Sequence, residues 1–151
     1  MGHTDKSSKS ATTPLGKILL VVDDEIARRS LELALSAGGY HVVTASDGVK
    51  SLPWIILSSR FPNAFDLMIM DVMAPVMEGL ELLHNLTFFK AAIPTMFITA
   101  SSDAGTLAKI KESGAVGILK KPFKPSALLA KVGMILGKRP GAAERMAGEA
   151  R

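Results

Sequence analysis

Five short apolar runs recur along the middle of the chain, and each either ends on a polar residue or is followed directly by one. They are ILLVVDD at 18–24, YHVVTA at 40–45, DLMIM at 66–70, PTMFITA at 94–100 and VGILK at 116–120. Runs that stay apolar without alternating are typical of strands covered on both faces of a sheet. The pattern therefore predicts five buried strands.

The stretches between these runs carry apolar residues at helical spacing. One extends from Glu25 to Ala37 and stops at Gly38-Gly39, and another stops at Gly114, because glycine is favoured just past a helix end. A last helix opens at Pro125, a residue well suited to the first helical position. Helices are predicted over 25–37, 49–61, 79–89 and 104–114, and from 125 onward with a buried stripe of Leu128, Leu129, Val132, Ile135 and Leu136.

The second of these helices contains a proline. Pro53 lies inside VKSLPWIILSSRF, where it removes a backbone donor and clashes with the preceding turn. We expect this helix to begin late, near Pro53, or to kink there. The apolar run Trp54 to Leu57 is expected mainly as core beneath the distorted helix, with an exposed partner surface as the alternative.

Strands that alternate with helices are joined in parallel through right-handed crossovers. The expected fold class is α/β, a three-layer sandwich with helices on both faces of a parallel five-stranded sheet. A length of 151 residues leaves room for one domain and two tails. We expect a flexible, Ser-, Thr- and Lys-rich arm over 1–16, a folded domain over 17–137 and a polar tail over 138–151.

Composition excludes several classes of protein. The chain contains no Cys, which rules out disulfides and thiolate metal sites, and no apolar run long enough to span a bilayer. A cytoplasmic protein is therefore the expectation. Residues 1–17 and 137–151 each carry a net charge of +2, whereas 18–136 sum to zero. Because the basic charge belongs to the ends, no direct binding of nucleic acid by the domain is expected.

Polar residues gather where the predicted strands end. Asp23 and Asp24 follow the first strand, Asp71 ends the third, Thr99 the fourth and Lys121 the fifth. In an open α/β sheet, ligands bind outside the carboxyl ends of the strands. Taken singly, Asp71 could be an ordinary strand-end acid, the Asp23-Asp24 pair a helix cap and Thr99 a plain strand residue. Their recurrence at one edge favours a functional site.

The chemistry of this set suits a phosphorylated carboxylate. An aspartate oxygen can attack phosphorus to form an acyl phosphate, and phosphoryl transfer needs mainly positioning and neutralisation of charge. Three clustered carboxylates repel one another unless a divalent cation lies among them, and Mg²⁺ prefers oxygen ligands. Lys121, the Thr99 hydroxyl and the Ala100 backbone N–H are candidates for contacts with phosphoryl oxygens.

Four motifs in order resemble the receiver domain of bacterial two-component response regulators, the chemotaxis-type (CheY-like) single-domain regulators included. The motifs are VVDDE at 21–25, MIMDVMAPVMEG at 68–79, FITA at 97–100 and LKKPF at 119–123. Each alone is weakly specific, but their order and spacing match the family over about residues 17–137. The resemblance implies a flavodoxin-like fold with strand order 2-1-3-4-5.

The resemblance also assigns roles to residues. It implies that Asp71 is the phosphoacceptor, that Thr99 and Lys121 contact the phosphoryl group, and that the Lys121–Pro122 bond is cis. The implied ligands of Mg²⁺, or of Mn²⁺ in its place, are Asp23, Asp24, Asp71 and the backbone carbonyl of Met73. Ile118 stands where the family usually has an aromatic residue, and its stiff β-branched side chain argues against coupling through an inward-turning ring.

The function expected is a phosphorylation-dependent switch in a two-component phosphorelay. A sensor histidine kinase or a phosphotransfer protein would donate to Asp71, and a downstream target protein would bind the face of the 104–114 helix, the fifth strand and the last helix. Such a domain catalyses only its own phosphorylation and dephosphorylation and is not otherwise an enzyme. It would be a monomer or a phosphorylation-dependent dimer, with no membrane contact.

Several alternatives stay open. The chain could be a receiver cut from a longer hybrid kinase or transcriptional regulator, or a degenerate receiver that acts only as a docking module. An aspartate-nucleophile phosphatase wants a second acid two residues after the nucleophile, where this chain has Met73. A flavin-binding module wants a hydroxyl- and Gly-rich phosphate loop after the first strand, where this chain has Asp23-Asp24.

Overall fold

The structure is a computed structural model of the 151-residue chain, and it describes residues 13–61, 63–72, 93–100 and 102–137. Five strands lie in this part: β1 (Lys17–Val21), β2 (His41–Ala45), β3 (Leu67–Val72), β4 (Thr95–Thr99) and β5 (Gly117–Lys120). Four helices accompany them: α1 (Glu25–Ala37), α2 (Gly48–Arg60), α3 (Ala104–Glu112) and α4 (Pro125–Gly137). The helix predicted over 79–89, residues 1–12 of the predicted arm and the tail over 138–151 lie outside the described residues.

All neighbouring strands pair in parallel, and the sheet order is β2-β1-β3-β4-β5. This is the flavodoxin-like α/β arrangement that the sequence predicted. None of the helices in the described part of the chain has the length and apolar character that crossing a membrane requires.

The strands are apolar throughout because each face of the sheet has its own core. Along β1, Leu19 and Val21 point to one cluster, which also contains Ile55 of α2 and Ile110 of α3. Ile18 and Leu20 point to the other, which includes residues of α1 and α4. Burial of each Leu, Ile or Phe side chain stabilises the fold by roughly 1.5–3 kcal/mol relative to leaving it exposed. The buried residues of α4 are Leu128, Val132 and Leu136, with Leu129 and Ile135 partly buried beside them.

A buried acid fixes the amino-terminal end of the sheet. Asp66, 6% exposed, accepts a hydrogen bond from the backbone N–H of Lys17 through Oδ2 at 2.9 Å. Its own N–H donates to the Lys17 carbonyl at 2.8 Å. Asp66, the residue before β3, therefore binds both the N–H and the carbonyl of Lys17, the first residue of β1.

The prediction that α2 begins near Pro53 is wrong, because the helix begins at Gly48. Asp47 caps it by accepting a hydrogen bond from the Lys50 backbone N–H at 2.8 Å, and Ile55 is buried against the sheet. Capping and burial outweigh the single backbone donor that Pro53 lacks.

The apolar run of α2 is less buried than the sequence suggested. Ile55 is 3% exposed, but Trp54 is 38% exposed and Ile56 60%. The edge of the Trp54 ring faces Phe65, with ring centroids 6.4 Å apart. On α1, likewise, Ile26 and Leu33 lie on the solvent side. The expectation that this run is mainly core therefore holds for Ile55 and fails for its neighbours.

Candidate functional site

Parallel pairing brings the predicted site residues to one edge of the sheet. Asp71 is paired in register with Ile98 of β4, and the next residue of β3, Val72, with Thr99. Thr99 is in turn paired with Lys120, the last residue of β5. Asp23 and Asp24 lie between β1 and α1 at the same edge. The recurrence of polar residues at strand ends thus corresponds to a single region of the molecule.

Asp71 and Lys121 form an ion pair across this edge. Lys121 Nζ lies 2.6 Å from Asp71 Oδ2, with the Asp71 side chain 2% and the Lys121 side chain 33% exposed. Because β4 separates β3 from β5 in the sheet, the lysine reaches over the end of β4. Its backbone N–H donates to the Thr99 carbonyl at 2.9 Å, which anchors it there. The Lys121–Pro122 peptide bond is cis, as predicted.

The second oxygen of Asp71 differs from the first in its surroundings. Among the described residues, Oδ1 is buried and accepts no hydrogen bond. An unsatisfied buried acceptor typically costs about 1–3 kcal/mol, and native proteins tolerate few such atoms without a reason. The Asp71 carboxylate therefore has one oxygen paired with the Lys121 ammonium group and one buried oxygen that makes no hydrogen bond with the described residues.

Thr99 lies beside this carboxylate in the sheet. Thr99 is only 1% exposed. In the register of the sheet it is one position beyond the residue paired with Asp71. Ala100, which follows, is exposed and leads out of the strand. Thr99 at the end of β4 and Ala100 at the start of the next loop thus lie at the same edge of the sheet as the Asp71–Lys121 pair.

The acidic pair after β1 is arranged by backbone bonds. Asp24 is the N-cap of α1, and its Oδ2 accepts a hydrogen bond from the Ala27 backbone N–H at 2.8 Å. Asp23 and Asp24 are both exposed. The capping role that the sequence left open for this pair is therefore confirmed for Asp24, while its ligand role stays a prediction.

The donor atoms at this edge fit a hard divalent cation in kind. They are carboxylate oxygens, one of them buried and unpaired, which is the chemistry that Mg²⁺ prefers. In the described part of the chain, however, no three His, Cys, Asp or Glu side chains are close enough together to hold a metal ion. The Met73 carbonyl, predicted as a further ligand, lies outside the described residues. A cation would thus require the side chains of Asp23 and Asp24 to turn toward Asp71.

Two further residues at this edge were not singled out from the sequence. Arg28 of α1 reaches back to the carbonyl oxygens of Val22 and Asp23, at 2.9 and 3.1 Å. Lys120 is exposed and donates to Ser102 Oγ at 3.2 Å. The spacing of Arg28, four residues after Asp24 and hence one helical turn, was the only available signal.

Comparison with known families identifies this arrangement. Residues 18–133 match the family model of the response regulator receiver domain. The chain belongs to the response regulator receiver domain family. The ion pair between a strand-end aspartate and the lysine before a cis proline thus lies in a receiver domain, and the resemblance carried by the four motifs is confirmed.

Curated relatives of this receiver domain are about twice as long. The chain is 40% identical over 121 residues to the probable transcriptional regulator ycf27 of Cyanophora paradoxa, covering 80% of this chain and 48% of that protein. It is 37% identical over 133 residues to response regulator MprA of Mycobacterium bovis, covering 87% of this chain and 56% of that protein. The chain therefore spans about half the length of the curated relatives it matches.

Solved structures show the same fold at receiver-domain length. The non-phosphorylated HemR receiver domain from Leptospira biflexa superposes with a TM-score of 0.70 at 29% identity, covering 85% of this chain and 98% of that one. Chemotaxis protein CheY4 of Vibrio cholerae gives a TM-score of 0.67 at 30% identity, covering 79% and 97%.

Proposed function

We propose that this receiver domain is a phosphorylation-dependent switch in which Asp71 accepts a phosphoryl group from a histidine kinase or a phosphotransfer protein. The observation that supports the proposal most strongly is the state of the Asp71 carboxylate, in which Oδ2 is paired with Lys121 and Oδ1 is buried without a partner among the described residues.

In the proposed transfer, a carboxylate oxygen of Asp71 attacks phosphorus while the bond from phosphorus to the donor atom breaks. The product is an acyl phosphate on Asp71, and the donor leaves with the bonding electron pair. Reversal of the switch uses water as the nucleophile: it attacks phosphorus, the bond to the Asp71 oxygen breaks, and inorganic phosphate and the carboxylate are released. Self-catalysis of both steps belongs to this proposal.

The neighbours of Asp71 supply the charge and the hydrogen bonds that phosphoryl transfer needs. Lys121, already held 2.6 Å from Oδ2, neutralises the added negative charge. The Thr99 hydroxyl and the Ala100 N–H donate to the phosphoryl oxygens. Asp23, Asp24, Asp71 and the Met73 carbonyl would hold Mg²⁺, or Mn²⁺ in its place. That ion supplies neutralisation of the carboxylates and of the transferred group.

The output of the proposed switch is a change in protein binding. Contacts of Thr99 and Lys121 with the phosphoryl group on Asp71 would shift a pre-existing equilibrium at α3, β5 and α4, where a downstream protein or a second copy would bind. Because ycf27 is named a probable transcriptional regulator and the match covers only 48% of its length, a role within a longer regulator is the second candidate. The absence of nucleic-acid binding stays a prediction for the domain alone.

The proposal is tested by incubating the full chain with a small phosphodonor and Mg²⁺ and measuring its intact mass. We expect one phosphoryl adduct in the wild type and none in Asp71→Asn. Asp66→Asn is the matched control, since it neutralises the other buried acid next to the same strand. Absence of an adduct under all conditions would favour a docking module over a phosphorylated switch.

A further inference from the structure

Arg28 holds the backbone of the loop that carries the acidic pair. Its Nη1 donates to the carbonyl of Val22 at 2.9 Å and to that of Asp23 at 3.1 Å, and the side chain is part-buried. One guanidinium nitrogen thus spans two successive carbonyls at the point where the chain leaves β1. Such a contact fixes the path of the chain on either side of the Val22–Asp23 peptide.

Hydrogen bonds at the start of α1 also hold this loop. The Asp24 carboxylate accepts from the Ala27 N–H at 2.8 Å, and the Arg28 N–H donates to the Asp24 carbonyl at 2.9 Å. The Val22 N–H, in turn, donates to the Ala45 carbonyl of β2 at 3.1 Å. From Val22 to Asp24 the backbone is therefore held on both sides. Any adjustment falls to the acidic side chains, of which Asp24 already uses Oδ2 to cap the helix.

The register of the sheet makes this loop relevant to Asp71. Val21 is paired with Met70, so Val22 stands level with Asp71 and Asp23 is one residue beyond. Strands in a sheet are about 4.8 Å apart. A backbone fixed by Arg28 thus sets how close the two acidic side chains can come to the buried carboxylate.

We propose that Arg28 is a positioning residue that prearranges the acidic loop and thereby sets the affinity of the site for a divalent cation. The inference rests on the proposed function, because it takes Asp23, Asp24 and Asp71 as the cation ligands. A ligand set held near its bound geometry loses less freedom on binding, which raises affinity.

The positive charge of Arg28 has the opposite effect, and this makes the inference testable. A cation beside an acidic pair opposes the binding of another cation, so removing the charge alone would raise affinity. Arg28→Lys keeps the charge and loses the planar donor group, and lysine is a poor substitute where a guanidinium spans two acceptors. Arg28→Met loses both. The side chain of Arg29 is exposed, and no hydrogen bond or ion pair joins it to the other described residues. Arg29→Met is therefore the matched control for charge.

The experiment titrates the full chain with Mn²⁺, follows free Mn²⁺ by electron paramagnetic resonance, and repeats the measurement with Mg²⁺ as competitor. If positioning dominates, Arg28→Lys and Arg28→Met both bind about tenfold more weakly, as expected for the loss of a net hydrogen-bond contribution. Arg29→Met should equal the wild type or bind slightly more tightly. Hydrogen exchange in the metal-free chain is the second readout: the Val22 and Ala27 amides should exchange faster in both Arg28 variants and not in Arg29→Met.

The contrary results are distinct. An Arg28→Lys variant with wild-type affinity, together with Arg28→Met and Arg29→Met variants that both bind more tightly, would show an effect of charge alone and overturn the inference. Unchanged exchange at Val22 and Ala27 would overturn it as well. Absence of Mn²⁺ binding in the wild type would overturn the proposed metal site and this inference together, whereas the phosphoryl adduct on Asp71 is measured separately.

Discussion

Two buried aspartates stand at the two ends of the apolar run of β3 and differ in how their oxygens are used. Asp66 precedes the strand, and its carboxylate accepts a backbone N–H of β1. Asp71 lies near the opposite end, paired with Lys121 through one oxygen and without a partner among the described residues at the other. The two side chains are chemically identical and five residues apart in sequence.

The difference separates a structural acid from a reactive one. A buried carboxylate satisfied by the backbone stabilises the fold and has little to offer a ligand. A buried carboxylate with an unpaired oxygen beside an ammonium group is costly to keep and well placed to take a group that adds negative charge. The two aspartates are therefore distinguished by the groups that their carboxylates contact and not by how deeply they are buried.

The largest expected effect is on phosphorylation itself. Asp71→Asn should lose the phosphoryl adduct completely, because an amide oxygen is a poor nucleophile toward phosphorus. Asp66→Asn should keep it, since Asp66 is about 16 Å away along the strand. Intact mass after exposure to a phosphodonor measures both. An adduct that survives Asp71→Asn and disappears in Asp66→Asn would reverse the comparison.

Stability should show the opposite order. Asp66→Ala removes the side-chain acceptor of the part-buried hydrogen bond from the Lys17 N–H and is expected to lower the free energy of unfolding by about 1–3 kcal/mol. Asp71→Ala should cost less, because one of its oxygens makes no hydrogen bond with the described residues. Urea unfolding of the two variants, side by side, gives the ranking, and a costlier Asp71→Ala would contradict this account of the two ends.

The ion pair can be isolated by a double-mutant cycle. Lys121→Met leaves the Asp71 carboxylate unpaired and should cost about 1–2 kcal/mol, less than a fully buried pair because Lys121 is a third exposed. In an Asp71→Asn background the same change should be close to neutral. Equal costs in the two backgrounds would mean that Lys121 stabilises the fold by packing, independently of Asp71.

Two helix caps extend the comparison to exposed acids. Asp24 caps α1 and Asp103 caps α3 with similar bonds, of 2.8 and 2.9 Å. Asparagine caps a helix about as well as aspartate, whereas alanine costs about 1 kcal/mol. Both Asn variants should therefore retain stability, and only Asp24→Asn should weaken Mn²⁺ binding. Weakening by Asp103→Asn to the same extent would indicate a long-range effect of charge.

The smallest effect is a pH dependence at the α3 cap. The backbone N–H of Thr106 lowers the pKa of Asp103, and the Thr106 hydroxyl and Lys109 add to this. Since the folded pKa lies below the unfolded one, the contribution to stability is present above the ordinary pKa of an aspartate. It is lost as the pH falls through the lowered value. Over that acidic range the free energy of unfolding should change less with pH in Asp103→Asn than in the wild type. The same comparison at neutral pH is the control.

The sequence predicted the sheet and the edge where the site lies because both depend on local pattern. Unbroken apolar runs require strands covered on both faces, and polar residues at their ends fall together in a parallel sheet. Asp24 as a cap and Lys121 beside Asp71 follow from position alone. The inward-facing residues of α1 and α2 were harder to assign, because hydrophobicity did not indicate that Ile26, Leu33 and Ile56 would be exposed.

The features that the sequence did not predict depend on contacts between residues far apart in the chain. Nothing local distinguishes Asp66 from Asp71, since each is an acid at an end of the same apolar run. The distinction comes from Lys17 and Lys121, which are 49 and 50 residues away. The start of α2 depended on whether capping by Asp47 and burial of Ile55 outweigh one proline, a balance that propensity alone does not decide.

The most direct test of the central claim is to locate the phosphoryl group. After phosphorylation the acyl phosphate is reduced with borohydride, the chain is digested, and the modified residue is assigned by fragment mass spectrometry. A single modified site at Asp71, with Asp23, Asp24 and Asp66 unchanged, is the result expected if the carboxylate with the unpaired oxygen is the acceptor. Modification at Asp66, or at the exposed acids of the loop after β1, would contradict that assignment.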